Sequence, residues 1–343
     1  MLQKERINWI DWAKALAVST VVFCHLPQSQ EWFYYRYLQA CIITIFFFLS
    51  GYLKKDRGSM KSNWKKYWTS LIVPYVLLNL MVYPYWIVRF YILHGELPGF
   101  LEALKPITGM LLMESETTFS EPLNGPLWYL PAILAMHLIV DSFRRMRHFH
   151  AIMLTLCALS VVLYAANKYW NYAPYLCVMG FVRRLPYYYL GYVMGQQQLF
   201  RNCHVRRDLT YMVLCFAASL IFFHWHLSEQ CYPLHIAIFY PVNYGFLFGV
   251  LYGCKLLNKY KSDVVVNLSV GTLGVIGLHL VLISGANYAT ELWRGLTTGV
   301  CYQWYEALPL TIIIVALLYP VILFSLRHFP ALLGGKTGCP KKD

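Results

Sequence analysis

The chain has 343 residues, 58% hydrophobic and 13% charged, about half the charged share of an ordinary soluble domain. That composition cannot supply the polar exterior a soluble fold of this size needs, so a soluble protein is excluded. The formal net charge of +13 would raise nucleic acid as a partner of a soluble chain. Here the basic residues fall in short stretches between apolar runs, so they report membrane topology and no nucleic-acid partner is expected.

Apolar runs of about 17–25 residues predict an all-α, polytopic integral membrane protein with about ten transmembrane helices. The first run, Trp9–Leu26, has no small-residue cleavage site and reads as a retained anchor. It is also the most informative. Lys14 and His25 are 11 positions apart, which puts them about 20° from alignment and about 16 Å apart along an ideal helix. Asp11 lies about 40° off the same line and is an i,i+3 neighbour of Lys14. Snorkelling for Lys14 and simple packing for His25 are the plainer readings of each alone. Both on one face with Asp11 make them functional candidates, because ionisable groups at membrane depth are costly.

The second run, Gln39–Lys54, is short and the third, Trp68–Leu93, is long, with tilt or a break expected near Pro84. Six cations lie between them: Lys54, Lys55, Arg57, Lys61, Lys65 and Lys66. The loop from His94 to Asn124 is acidic (Glu96, Glu102, Glu114, Glu116, Glu121), and Lys105–Met113 within it suits a short interfacial or re-entrant segment. Gly125–Ser142 follows, with His137 read as structural, then His150–Asn167 and Leu176–Gln196. In the last of these Arg183 and Arg184 precede Pro186, where a broken helix would expose backbone and admit an anionic group.

Leu209–Trp225, Leu234–Gly253, Val266–Gly285 and Leu308–Leu326 complete the set. His279 lies at a depth similar to that of His25 and is either its partner or a core residue. The segment after Phe329 reads as a disordered tail, so the chain divides into a membrane domain, 1–329, and a tail, 330–343. Twenty-one Lys and Arg fall in loops on one side and four on the other, which predicts cytoplasmic N and C termini. The ten Cys are scattered without ligand or redox spacing, so no metal is expected.

Several segments in order resemble the membrane-bound acyltransferase family 3, in its sugar O-acetyltransferase branch. The first span carries a basic residue, ten others and a His, here Lys14 and His25, with Lys where Arg is commoner. F-F-F-L-S-G-Y (Phe46–Tyr52), K-K-Y-W-T-S-L-I-V-P-Y (Lys65–Tyr75), N-G-P-L-W-Y-L-P (Asn124–Pro131) and G-T-L-G-V-I-G-L-H (Gly271–His279) carry the rest. The third span's usual Arg-x-x-Arg is replaced by lysines, which supply charge without bidentate geometry. The resemblance implies transfer of an acetyl or other acyl group from cytosolic acetyl-CoA to a glycan or lipid-linked sugar, in a bacterial inner membrane and among membrane lipids. His25 would be the catalytic base or acyl acceptor, with Asp11, His279 and Glu121 in support. Lys14, Lys61, Lys65, Lys66, Arg183 and Arg184 would hold the donor. The rival reading is a transporter for a lipid-linked sugar or metabolite, but the two halves show no internal symmetry.

Overall fold

The computed structural model describes residues 6–55, 60–114, 116–170, 178–200, 203–297 and 299–335. Among them the regular structure is helical: α1 Asn8–His25, α2 Phe33–Cys41, α3 Ile43–Tyr52, α4 Met60–Tyr67, α5 Val73–His94, α6 Phe100–Leu111 and α7 Tyr129–Phe143. There follow α8 Phe149–Trp170, α9 Val178–Gln196, α10 Val205–Ser228, α11 Tyr232–Leu256, α12 Asp263–Val270, α13 Thr272–Arg294 and α14 Trp304–His328. Eight helical runs among the described residues are long and apolar enough to cross a membrane. Most backbone hydrogen bonds are closed within the segment, as hydrocarbon demands.

α1 and α9 reach spanning lengths of 18 and 19 residues but carry Asp11 and Lys14, and Arg183 and Arg184. They are also helices that the bundle encloses. Ala13, Ala17, Val18 and Val22 of α1 are fully buried, as are Tyr187 and Tyr188 of α9. A helix surrounded by protein can carry charge that a lipid-facing helix cannot. α10 is one of the lipid-type helices, with Val213, Leu214 and Ile221 exposed.

Without water to drive helices together, close backbone approach does the work. A Cβ on Gly51 would lie 2.0 Å from the Tyr188 carbonyl oxygen, and one on Gly191 2.1 Å from that of Phe48. The glycine of F-F-F-L-S-G-Y therefore lets α3 and α9 meet backbone to backbone.

Four expectations are corrected. The second span begins earlier than Gln39, with α2 and α3 joined at Ile42 into a run from Phe33 to Tyr52. The third span continues from α4 through α5 without a break at Pro84. Its irregularity is a π turn at Trp68–Ile72, which widens the helix where the Pro74 ring would otherwise press on the Ser70 carbonyl. α9 likewise runs through Pro186 as one helix. After Phe329 the chain forms a 3-10 turn, Pro330–Leu333, with Leu332 and Leu333 buried. The disordered tail expected there does not begin before Gly335, and residues 336–343 lie outside the described set. Residues 105–111 of the expected Lys105–Met113 segment belong to α6, which packs on α5 through Tyr75 and Tyr83 hydroxyls donating to Met110 and Ala103 carbonyls at 2.6 and 2.8 Å.

Candidate functional site

Pro27 disfavours helical backbone at Leu26, so α1 ends with His25 as its last residue. The His25 Nδ1 donates to the Val21 carbonyl at 2.8 Å, and the His279 Nδ1 to the Val275 carbonyl at 2.9 Å. A carbonyl only accepts, so in each neutral ring Nδ1 carries the proton and Nε2 keeps the lone pair. The two rings meet edge to face with centroids 4.8 Å apart. His279 is therefore the partner of His25. It is fully buried, and its Nε2 finds no hydrogen-bond partner among the described residues. An unsatisfied buried nitrogen is expensive and marks a site whose contacts are incomplete.

His25 itself is exposed to a cavity of about 380 Å³ that Gln39, Trp128, Tyr129, Arg184 and Ile276 also line. The N-G-P-L-W-Y segment builds one wall. The Asn124 side chain donates to the Gly277 carbonyl at 2.7 Å, two residues before His279. The 3-10 turn Gly125–Trp128 then delivers Trp128 and Tyr129 to the cavity.

Toward the other end of α1, a second cavity of about 280 Å³ is lined by Lys14, Lys54, Lys55 and Lys66, with Tyr129, His137 and the π-turn residues Ser70 and Leu71. Tyr129 thus walls both cavities, and its hydroxyl meets the Ser50 hydroxyl at 3.2 Å. Beside the lysines Asp141 forms a buried knot. Lys54 Nζ donates to its Oδ1 at 2.7 Å, Asn63 to its Oδ2 at 2.9 Å and the Tyr67 hydroxyl to its Oδ2 at 2.6 Å. The knot fixes α4, and with it Lys66, against α7.

The structure brings some expected residues together and separates others. His25 joins His279, and Lys14 joins Lys66. Lys61 and Lys65 are exposed on α4 and do not line the lysine cavity. Arg183 and Arg184 stand at the His25 end: Arg184 lines the His25 cavity, and both line an adjoining one with Arg36. Asp11 is at the opposite end of α1 from His25, held by Arg6 at 2.6 Å and by the Ser269 hydroxyl at 2.5 Å. Glu121 accepts from the Trp86 indole and faces a third cavity, of about 660 Å³, that also takes in Arg89, Lys105 and Glu102. Asp11 is thus remote from the histidine pair, and Glu121 lies in a cavity separate from that of His25, one that Gly277 and Leu280 beside His279 also line.

Sequence reasoning passed over Asp141, Glu114 and Tyr129. Asp141 had a visible signal, as a lone acid at the end of an apolar run. Glu114 was one acid among five in its loop, yet it is buried, accepting from the Asn124 N–H at 2.9 Å. Tyr129 was hidden among 28 tyrosines.

A family model described as an acyltransferase domain matches residues 7–327. No curated protein and no solved structure matches the chain.

Proposed function

This chain belongs to that acyltransferase family, a multi-pass membrane protein, and on that premise we propose that it moves an acetyl or other acyl group from cytosolic acyl-CoA to a sugar hydroxyl on the far side of the bilayer. One observation carries the reading. A single helix face presents a cation to one cavity and an imidazole to another, and both cavities share Tyr129 as a wall. The charge bias of the loops supports ten spans, with the lysine cavity toward the cytosol and the histidine pair toward the outside. The membrane would be the bacterial inner membrane, where such glycans are modified. A transporter gains no support from the family match.

The lysine cavity suits the donor's phosphates, which Lys14 and Lys66 would contact as point charges. The thioester would reach past Tyr129 and Ser50 toward His25. There the Nε2 lone pair takes the proton of the acceptor hydroxyl as its oxygen bonds to the thioester carbon. The carbon–sulfur bond then breaks, and the thiolate leaves and takes up that proton. The Arg184 guanidinium, in the same cavity, faces the negative charge that grows on the carbonyl oxygen. His279 packs edge to face on His25 from behind the cavity, where its buried ring helps to fix the orientation of the His25 imidazole.

The test is acyl transfer from labelled acetyl-CoA to a panel of glycan and lipid-linked acceptors, with purified protein in lipid nanodiscs. His25→Ala should lose about 10²–10⁴-fold in rate at unchanged folding and yield. Full activity in that variant would sink the reading.

A further inference from the structure

α2, α9, α10 and α11 border an open cavity of about 320 Å³ whose polar lining is Arg36, Arg183, Arg184, His226, Gln30 and Gln39. No carboxylate among the described residues lines it. None of the three arginines forms an ion pair with a described carboxylate, unlike Arg6, Arg207 and Arg294. Three guanidiniums in one pocket repel each other, and no described carboxylate offsets that repulsion.

Aromatic faces fix the orientation of two of them, Arg183 and Arg184. The Arg183 guanidinium carbon lies 3.8 Å over the Phe239 ring and 5.0 Å over that of Tyr164, and the Arg184 carbon 4.9 Å over Trp128. Stacking occupies the planes and leaves the N–H edges to bond a ligand. The Arg183 guanidinium has no hydrogen-bond acceptor among the described residues, and that of Arg184 has the Gly180 carbonyl at 3.2 Å. The apolar wall is Phe223, Leu227 and Phe239. Arg184 and Gln39 line both this cavity and that of His25, so the two adjoin.

We propose that this cavity holds the phosphate or pyrophosphate group of an amphiphile. One carboxylate has too few oxygens for three guanidinium forks, whereas a phosphate presents them on several sides. The apolar wall takes the first carbons of a lipid chain, and the link through Arg184 aims the head of the molecule at His25. That the amphiphile is the acyl acceptor rests on the acyl-transfer reading; the phosphate chemistry does not.

The experiment measures binding of geranyl pyrophosphate to the full chain in phosphatidylcholine nanodiscs, with no acyl donor present. Its outcome is therefore independent of whether His25 transfers acyl groups. The double variant Arg36→Gln/Arg183→Gln should weaken binding at least tenfold. Gln30→Glu, at an exposed position that does not threaten folding, should weaken it in the same direction by placing a carboxylate in the pocket. Coenzyme A in excess should not displace the probe. Unchanged binding in both variants, or displacement by coenzyme A, overturns the site. Repeating the measurement with phosphatidylglycerol in the nanodiscs separates the two sources of phosphate. Retained binding supports a dedicated substrate, and at least tenfold competition overturns the acceptor in favour of a bilayer headgroup.

Discussion

Around the N-terminal end of α1, Arg6 meets Asp11, Lys54 meets Asp141 and Lys255 meets Asp208, each pair within 3.1 Å. Around its C-terminal end, Arg183 and Arg184 line cavities beside His25 without a carboxylate partner among the described residues. The same kind of charge thus serves two purposes. A buried cation matched by an acid inside the protein, as Lys54 and Lys255 are, has its desolvation offset in every state, so it acts as scaffold. A half-buried cation left unmatched, such as Arg183 or Arg184, keeps part of that penalty until something negative arrives, so it acts as a receptor. The difference is testable, because removing a scaffold charge should cost stability and removing a receptor charge should cost binding.

The largest effect on stability is expected at Asp141, whose side chain is fully buried. Asp141→Ala strands Lys54 in a pocket with no other described carboxylate, and should cost about 3–5 kcal/mol, read as a lowered melting temperature in detergent. Because Arg144 also pairs with Asp141, at 3.7 Å, the triple variant Lys54→Met/Asp141→Leu/Arg144→Met, which removes all three charges and keeps the volume, should recover most of it. A single variant as stable as the parent would break the distinction at its scaffold end.

Lys14 tests the same distinction from within the lysine cavity. Lys14→Ala should raise KM for acyl-CoA about tenfold, the equivalent of about 1.4 kcal/mol, with little change in melting temperature. Lys14→Arg should restore it, since either side chain meets a phosphate. An unaltered KM alongside a lowered melting temperature would move Lys14 to the scaffold class.

How far the sequence carried this picture follows from which forces are local. Helix periodicity is local, so the shared face of Lys14 and His25 and the apolar runs were legible without coordinates. The pairing of His25 with His279 needed only a common depth, which span counting supplies, and it was half-visible for that reason. The partners of the cations were not legible. Lys54 was counted as a loop charge because it follows an apolar run, and its burial comes from α4 folding back so that Asn63 and Tyr67 close over Asp141. Asp11 was set against Lys14 by an i,i+3 rule, but the residues that hold it are Arg6 and, from α12, Ser269. Arg183 and Arg184 were grouped with the lysines by charge sign, which says nothing about the end of the bundle they occupy. The π turn escaped because a proline permits either a kink or a widened turn, and only the surrounding packing decides between them.

Glu114 is the mirror case, a buried acid that no described cation pairs with, and it sharpens the comparison with the smallest effect. It sits outside the membrane-spanning helices, with left-handed backbone at φ 62°. Burial pushes its carboxyl up from the ordinary value of 4.5, and hydrogen bonds from Asn124 and Tyr75 hold it back only in part. The Tyr75 hydroxyl is shared between two acceptors, the Met110 carbonyl at 2.6 Å and the Glu114 Oε1 at 3.2 Å, so the carboxyl receives only the longer and weaker bond. A carboxyl whose folded pKa is raised contributes stability that is fully present below 4.5 and is lost as pH rises through the folded value. Glu114→Gln keeps the shape and cannot ionise: its carbonyl accepts the Asn124 N–H and its amide donates to Tyr75. Parent and variant should therefore melt together at acidic pH, and the variant should gain about 1–2 °C over the parent as pH is raised to 8. A variant that falls below the parent at pH 8 would mean that the charged carboxylate is favoured there, as it would be with a cation beside it, and Glu114 would join the matched pairs of the scaffold.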